Sequence, residues 1–275
     1  MTYKMIVLDL DDTLLRDDLT ISPRTKQSLM EAQEAGVKVV LASGRPTSAM
    51  LPIAGELCLK EYGSFILSFN GGKIIDCQTG DEWFSSTLPI ETVHHLYEIS
   101  RRENVWIHTY VGETIITEEP NQYTDIEGEL TKLEIKVVDS FIDAVTEPVV
   151  KVLMLKEPSI LARVEKKLQK EFAESLSIMR SKKFFLEFTE AGVTKGTSLN
   201  SLIQQLGISR DEVIAIGDSN NDLSMIQFAG LGVAMGNASE AIKAQADFVT
   251  DTNMNDGVAK VVEEFILKTV PVSIQ

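Results

Sequence analysis

Cysteine is nearly absent from this chain, with only Cys58 and Cys77 in 275 residues. Two thiols make no disulfide framework, so the pair fits a reducing compartment and reads as buried or indifferent. Histidine is as scarce: His94, His95 and His108 fall far from every other candidate ligand. That spacing argues against a histidine metal centre, and each reads as a surface or interface side chain. Positive charge is the third shortage. Against 41 Asp and Glu stand 26 Lys and Arg, giving a formal charge of −15. A nucleic-acid binder would need the opposite surface, although one lysine and one metal ion can still set the sign of a single small pocket. No run of about 18 apolar residues occurs, and Met1 to Lys4 leads directly into an apolar stretch. The expectation is a cytoplasmic chain with neither a membrane span nor a signal peptide. Gly-x-x-x-x-Gly-Lys-Ser/Thr is missing, which excludes a P-loop enzyme. Gly230-x-Gly232-x-x-x-Gly236 has one residue too many for a dinucleotide fingerprint and reads as a loop and strand.

What is present is an ordinary apolar share, 44% of residues, arranged in an alternating order. The run Met5-Ile6-Val7-Leu8 reads as a buried strand. Ser22 and Pro23 then read as an N-cap and first helical position, and Gly36 as the stop. Strands over 37–41 and 65–69, a helix over 47–60 and a short strand over 73–76 continue the pattern. It returns late, with helices from Lys195, over 222–229, 240–245 and 257–267, and strands over 213–217, 232–234 and 247–250. The fold class is therefore α/β: a doubly wound, Rossmann-like parallel sheet covered on both faces by helices. Between these halves the texture changes to α+β. Strands are expected over 105–109, 114–117, 149–155, 177–180 and 184–188, with helices over 90–102 and 159–172. The expected domains are residues 1–82 plus 189–275 as the core and 83–188 as an insertion, since the core pattern resumes after it.

The chemistry-bearing residues stand at strand ends and helix starts. Asp9-Leu10-Asp11-Asp12-Thr13 follows the first strand, and alternation along an extended chain sends Asp9 and Asp11 to the same side. Two converging carboxylates at the end of a buried strand need compensation, and a divalent cation taking oxygen ligands, Mg²⁺, is the usual one. The bland reading is a turn. Leu41-Ala42-Ser43-Gly44-Arg45-Pro46 follows the second strand. Gly192-Val193-Thr194-Lys195-Gly196-Thr197 opens a helix, and Val213-Ile214-Ala215-Ile216-Gly217-Asp218-Ser219-Asn220-Asn221-Asp222 ends another apolar run.

Taken in order, these four segments resemble the motifs of the haloacid-dehalogenase-like (HAD) phosphatase superfamily, and within it the Cof-type (subfamily IIB) sugar-phosphatase group. Further similarity runs through Ser22-Pro23, Ser68-Phe69-Asn70-Gly71 and Gly232-Val233-Ala234-Met235-Gly236-Asn237-Ala238. The resemblance implies that Asp9 is a nucleophile forming an aspartyl-phosphate and that Asp11 is the acid/base partner; dehalogenases of the superfamily lack this second Asp. It implies Mg²⁺ held by Asp9, the backbone carbonyl of Asp11, and Asp218. Phosphate oxygens would meet Leu10, Ser43, the Gly44 amide, Lys195 and Asn221. Lys195 at a helix N-terminus opposes the helix dipole, which favours a functional over a structural reading. Asp222 is a supporting residue behind the metal or a helix N-cap. Asp12 stands where the family more often has Gly and is expected to be structural, since Asp tolerates unusual backbone angles. The insertion would be a cap domain folding over the active site, with Asn70 at the core rim and Lys182, Phe184 and Glu187 as specificity candidates beside their plainer reading as packing. The implied activity is hydrolysis of a small phosphate monoester, a sugar phosphate foremost. A phosphotransferase or mutase, a phosphatase for pyridoxal phosphate or flavin mononucleotide, and a non-enzymatic binding module stay open, as does the oligomeric state. No nucleic-acid or membrane partner is expected.

Overall fold

The computed structural model describes residues 3–172 and 175–269; Met1, Thr2 and 270–275, which the expected core includes, lie outside the described residues. Among the described residues the strands, in chain order, are β1 (Met5–Leu8), β2 (Lys38–Ala42), β3 (Phe65–Ser68), β4 (Lys73–Asp76), β5 (Glu82–Ser85), β6 (Trp106–Val111), β7 (Thr114–Thr117), β8 (Glu134–Val137), β9 (Val152–Leu155), β10 (Leu176–Lys182), β11 (Phe185–Glu190), β12 (Val213–Gly217), β13 (Leu231–Ala234) and β14 (Phe248–Val249). Two compact units separate along the chain, Met1–Phe84 with Thr194–Gln275, and Ser85–Val193. The change-over falls after Phe84 instead of residue 82, because β5 adds to the core sheet, and the second lies at 193/194, past the end of β11.

In the first unit the sheet order is β14-β13-β12-β1-β2-β3-β4-β5. β1 lies between β2 and β12, parallel to both, with Leu8 opposite Leu41 and Ile216. Pairing stays parallel from β14 to β3, and β4 then turns back antiparallel on β3. Side-chain alternation sorts the strand residues into two cores. Ile6, Leu8, Val39, Leu41, Ile66, Ile214 and Ile216 pack with Leu29 and Ala32 of helix Pro23–Glu34, Met50 of helix Thr47–Glu56 and Val258 and Val261 of helix Gly257–Val261. Met5, Val7, Val40, Ala42, Phe65, Leu67, Val213 and Ala215 pack with Leu199, Leu202 and Ile203 of helix Lys195–Leu206 and Met225 of helix Leu223–Phe228. Helices on both faces make the sheet doubly wound. The strand order runs one way from β1 to β3 and the other way from β12 to β14, so it reverses at β1 and β12. Ligands in open α/β sheets bind beyond the carboxyl ends of strands at such a reversal. Helix Thr47–Glu56 stops short of the expected residue 60: it carries Pro52, and Cys58 beyond it takes a left-handed backbone, φ 54. The last helix keeps regular spacing to Val261 and then widens by one residue per hydrogen bond through Ile266.

The second unit is α+β, with sheet order β10-β11-β9-β6-β7-β8, antiparallel except between β7 and β8. One face packs Ile107, Ile116, Val152, Met154, Leu186 and Phe188 against Val93, Leu96, Leu161, Val164 and Leu168 of helices Ile90–Glu103 and Pro158–Phe172. Helix Gln122–Thr131, helix Phe141–Ala144 and strand β8 have no counterpart in the sequence-based expectation. The first is poor in strong helix formers, yet Asn121 caps it by accepting from the Tyr123 and Thr124 amides. Among the described residues, no helix is long and apolar enough to cross a membrane. His94 bonds the Val145 carbonyl, and His108, expected at a surface or interface, is fully buried.

Candidate active site

Asp9 follows β1 directly, and its N–H donates to the Ile216 carbonyl (3.0 Å), so it extends the parallel register towards Gly217 and Asp218 at the end of β12. Counting on from Met5 and Val7, Asp9 points to the face covered by the helix that Lys195 opens. There the Lys195 Nζ donates to Asp9 Oδ1 (2.5 Å) and to Asp222 Oδ1 (2.6 Å). All three side chains are buried, Lys195 and Asp222 completely. Asp222 also accepts, on Oδ2, from the Asp218 and Ser219 amides (3.0 and 2.9 Å). The chain can fold back this tightly because residue 217 is glycine; a Cβ there would stand 2.4 Å from the Asp222 Cβ. Asp218 is half-buried, and accepts from Thr13 Oγ1 (3.1 Å) and Ser219 Oγ (2.8 Å).

Three carboxylates therefore face one ammonium. Burial alone would discharge Lys195, but Asp222 and Asp9 outweigh it and hold the ammonium above the usual lysine range. Burial, then the Asp222 charge, push the Asp9 carboxyl well up against the pull of Lys195. The same two causes push Asp218 up to about 6. A second cation beside these groups would relieve that excess. One carboxylate oxygen each from Asp9, Asp218 and Asp222 lie within 4.8 Å of one another, and an all-oxygen donor set suits Mg²⁺. Asp222 is fully buried, with its oxygens on Lys195 and two backbone amides, whereas Asp218 is half-buried and accepts only from two hydroxyls, which makes Asp9 and Asp218 the better-suited carboxylate ligands.

Asp11 lies apart from this cluster in its bonding. Its carboxylate takes a two-pronged bond from Arg45, Nε to Oδ2 at 2.9 Å and Nη2 to Oδ1 at 2.5 Å. Arg45 follows Ser43 and Gly44 in the turn after β2, a partner that spacing alone did not reveal; an Arg beside a small-residue turn was the available signal. Asp12 is left-handed (φ 61, ψ 8), and its carbonyl accepts from Asn237 Nδ2 (2.8 Å). Leu10 buries its side chain in the core while its carbonyl accepts from the Leu15 amide (2.8 Å). Ser43 is buried just past β2, with its N–H on the Leu67 carbonyl (2.9 Å) and its Oγ accepting from the Arg45 amide (3.2 Å). Asn221 Nδ2 donates to Asn70 Oδ1 (3.0 Å). Of the specificity candidates, Lys182 is exposed and Phe184 stacks on Tyr123, centroids 5.3 Å apart. Glu187 is buried within its own unit, 3.2 Å from Lys151 Nζ.

The arrangement has relatives. A family model described as haloacid dehalogenase-like hydrolase matches residues 6–262. The crystal structure of a haloacid dehalogenase-like hydrolase from Bacteroides thetaiotaomicron is similar with a TM-score of 0.91 and 44% identity, covering 96% of this chain and all of that one. The HAD subclass IIB sugar phosphatase BT4131 is similar with a TM-score of 0.83 and 26% identity, over 95% of this chain and 98% of that one. The 5-amino-6-(5-phospho-D-ribitylamino)uracil phosphatase YcsE of Bacillus subtilis (strain 168) is 32% identical over 266 residues, 96% of each chain.

Proposed function

Because the chain belongs to the haloacid dehalogenase-like hydrolase family, in its Cof-type group, we propose that it is a cytoplasmic, Mg²⁺-dependent phosphatase that hydrolyses small phosphate monoesters, sugar phosphates foremost, through an aspartyl-phosphate on Asp9. The observation that carries this reading is the buried Asp9 at the carboxyl end of β1, held at 2.5 Å by Lys195 beside Asp218. Relatives named for a sugar phosphatase and for a phosphorylated ribitylaminouracil support the ester class.

Asp9 and Asp218, with the Asp11 carbonyl, would hold Mg²⁺, which when bound supplies charge neutralisation between a carboxylate nucleophile and an anionic phosphate. Lys195 orients Asp9 and keeps a fixed positive charge beside it. An Asp9 oxygen bonds to phosphorus as the ester P–O bond breaks, and the leaving oxygen takes its proton from Asp11. Asp11 then takes a proton from water as that water attacks phosphorus, and the Asp9–phosphate bond breaks to free phosphate and the carboxylate. To do this the Asp11 carboxyl would leave the Arg45 fork, which occupies both of its oxygens. The Leu10 and Gly44 amides and the Ser43 hydroxyl would bind phosphate oxygens, as N–H groups at strand ends do.

Phosphate release from hexose, pentose and polyol phosphates, pyridoxal phosphate and flavin mononucleotide, with Mg²⁺ and with chelator, tests the reading. Turnover that needs Mg²⁺ and disappears in Asp9→Asn is the expected result; activity retained in that variant rejects Asp9 as nucleophile. Phosphate appearing on an added sugar instead of in solution would make the enzyme a transferase.

A further inference from the structure

Three consecutive residues after β3 take left-handed backbone: Phe69 (φ 53), Asn70 (φ 58, ψ 32) and Gly71 (φ 94). Two of them carry side chains, for which this region is unfavourable, and strain of this kind persists only where the surroundings over-determine it. The surroundings here are the phosphate-handling segments. The Phe69 amide donates to the Arg45 carbonyl (3.0 Å) and the Asn70 amide to the Ser43 carbonyl (2.8 Å). Asn70 Oδ1 accepts from the Asn221 side chain (3.0 Å), and the Gly71 carbonyl accepts from Ser198 (2.6 Å) on the helix that Lys195 opens. Gly44 lies against the Asn70 amide group, which a Cβ on residue 44 would approach to 3.2 Å. Gly71 has no alternative, since its Cβ would stand 2.5 Å from Ser198 Oγ. The buried Asn70 thus joins the Ser43–Arg45 turn to Asn221 through its backbone and its side chain at once.

We propose that Asn70 is a positioning residue of the phosphatase reaction, a role that rests on the reading above: its amide N–H fixes the Ser43–Gly44 turn and its side-chain carbonyl aims the Asn221 amide at the same phosphate. The residue type follows from the two duties. Glycine would adopt the backbone but offers no acceptor. Aspartate would offer the acceptor, with a negative charge facing an anionic substrate.

The test is a cycle of Asn70→Gly, Asn221→Ala and the double variant, read by steady-state phosphate release with Mg²⁺ and by the rise in Tm that inorganic phosphate with Mg²⁺ gives. Asn70→Gly keeps the left-handed backbone open, so its Tm without phosphate should hold or rise. Its kcat should fall about 10- to 100-fold with KM moving only a few-fold, as for a contact realised in the transition state. The double variant should fall no further than the worse single one. Asn70→Asp, which keeps the acceptor, should instead raise KM and lose most of the phosphate-induced Tm rise. Wild-type kcat in a folded Asn70→Gly, or losses that multiply in the double variant, overturns the positioning role. If Asn70→Gly does not fold, an Asn221→Ala protein with wild-type kcat overturns it, because the side chain that Asn70 is proposed to aim would then do nothing. A wild type that releases no phosphate sinks the phosphatase reading; the Asn70 role then stands or falls on whether phosphate raises the Tm of wild type and not of Asn221→Ala.

Discussion

Lys195 in the core unit and Lys151 in the inserted unit are buried alike, at 0% and 1% exposure, and both end on carboxylates. Their settings differ in place. Around Lys195 three carboxylates converge beyond the ends of β1 and β12, where the strand order reverses, and negative charge is left over. Lys151 meets Glu187 at 3.2 Å and lies 5.6 Å from the centre of the Tyr110 ring. Around it Tyr110 donates to Glu127, and His108 bonds Thr124 at 3.0 Å, on the sheet face opposite the apolar core. A buried lysine–carboxylate pair thus occurs in both units and does not by itself single out the Asp9 cluster. Its place at a reversal of the sheet does, because ligands of open α/β sheets bind there.

The sharpest way to break the comparison is to remove each ammonium. Lys195→Met should cut phosphate release below about a thousandth of wild type and cost about 3–5 kcal/mol by leaving buried carboxylates unpaired. Adding Asp222→Leu should recover stability in denaturant melts without recovering turnover; recovered turnover would remove Lys195 from the chemistry. Lys151→Met should cost a similar 3–5 kcal/mol, and Lys151→Met with Glu187→Leu should return close to wild type in both stability and kcat. A folded double variant without turnover would move Lys151 to the functional side.

A smaller effect concerns acid. Burial, and then the Lys151 charge, hold His108 down at about 3 against an ordinary 6.5, so it stays neutral in the folded protein. The unfolded chain binds that proton first, so stability is full above about pH 6.5 and is lost as pH falls towards 3. By pH 4 the loss from this group is about 3 kcal/mol. Melts from pH 7 to 4 should show His108→Gln losing less than wild type; identical slopes would assign the acid limb to other groups. The smallest change expected is at Asp12, which is left-handed at φ 61. Asp12→Gly should raise stability by at most about 1 kcal/mol with turnover unchanged, read by Tm and phosphate release.

Most of the core unit was legible because its strands are buried on both faces and read as continuous apolar runs, and because Ser22, Pro23 and Gly36 punctuate its first helix. Strand β5 was not, since its Glu82–Ser85 carries no such run and lies at the sheet edge. In the inserted unit helix Gln122–Thr131 contains Gly128, where the Ile135 side chain packs close enough that a Cβ would come 2.7 Å from its Cδ1. That contact is tertiary, and the glycine itself lowers local helix propensity. In the site, Asp9, Asp218 and Lys195 were visible as residue types at strand ends and a helix start. Asn70 was legible only as a rim residue, and the Arg45 fork on Asp11 had no signal in spacing.

By itself the sequence determined the alternation of elements, the interrupting insertion and the order of the four motifs, since burial, capping and turn chemistry act over a few neighbouring residues. Tertiary structure alone decided that Lys195 grips both Asp9 and Asp222, that Asp222 folds back over Gly217, that Arg45 holds Asp11, and that Asn70 links Ser43 to Asn221. Those pairs are from 27 to 186 residues apart or depend on a close backbone approach. They form only when parallel strands bring their carboxyl ends together, and no local propensity encodes that distance.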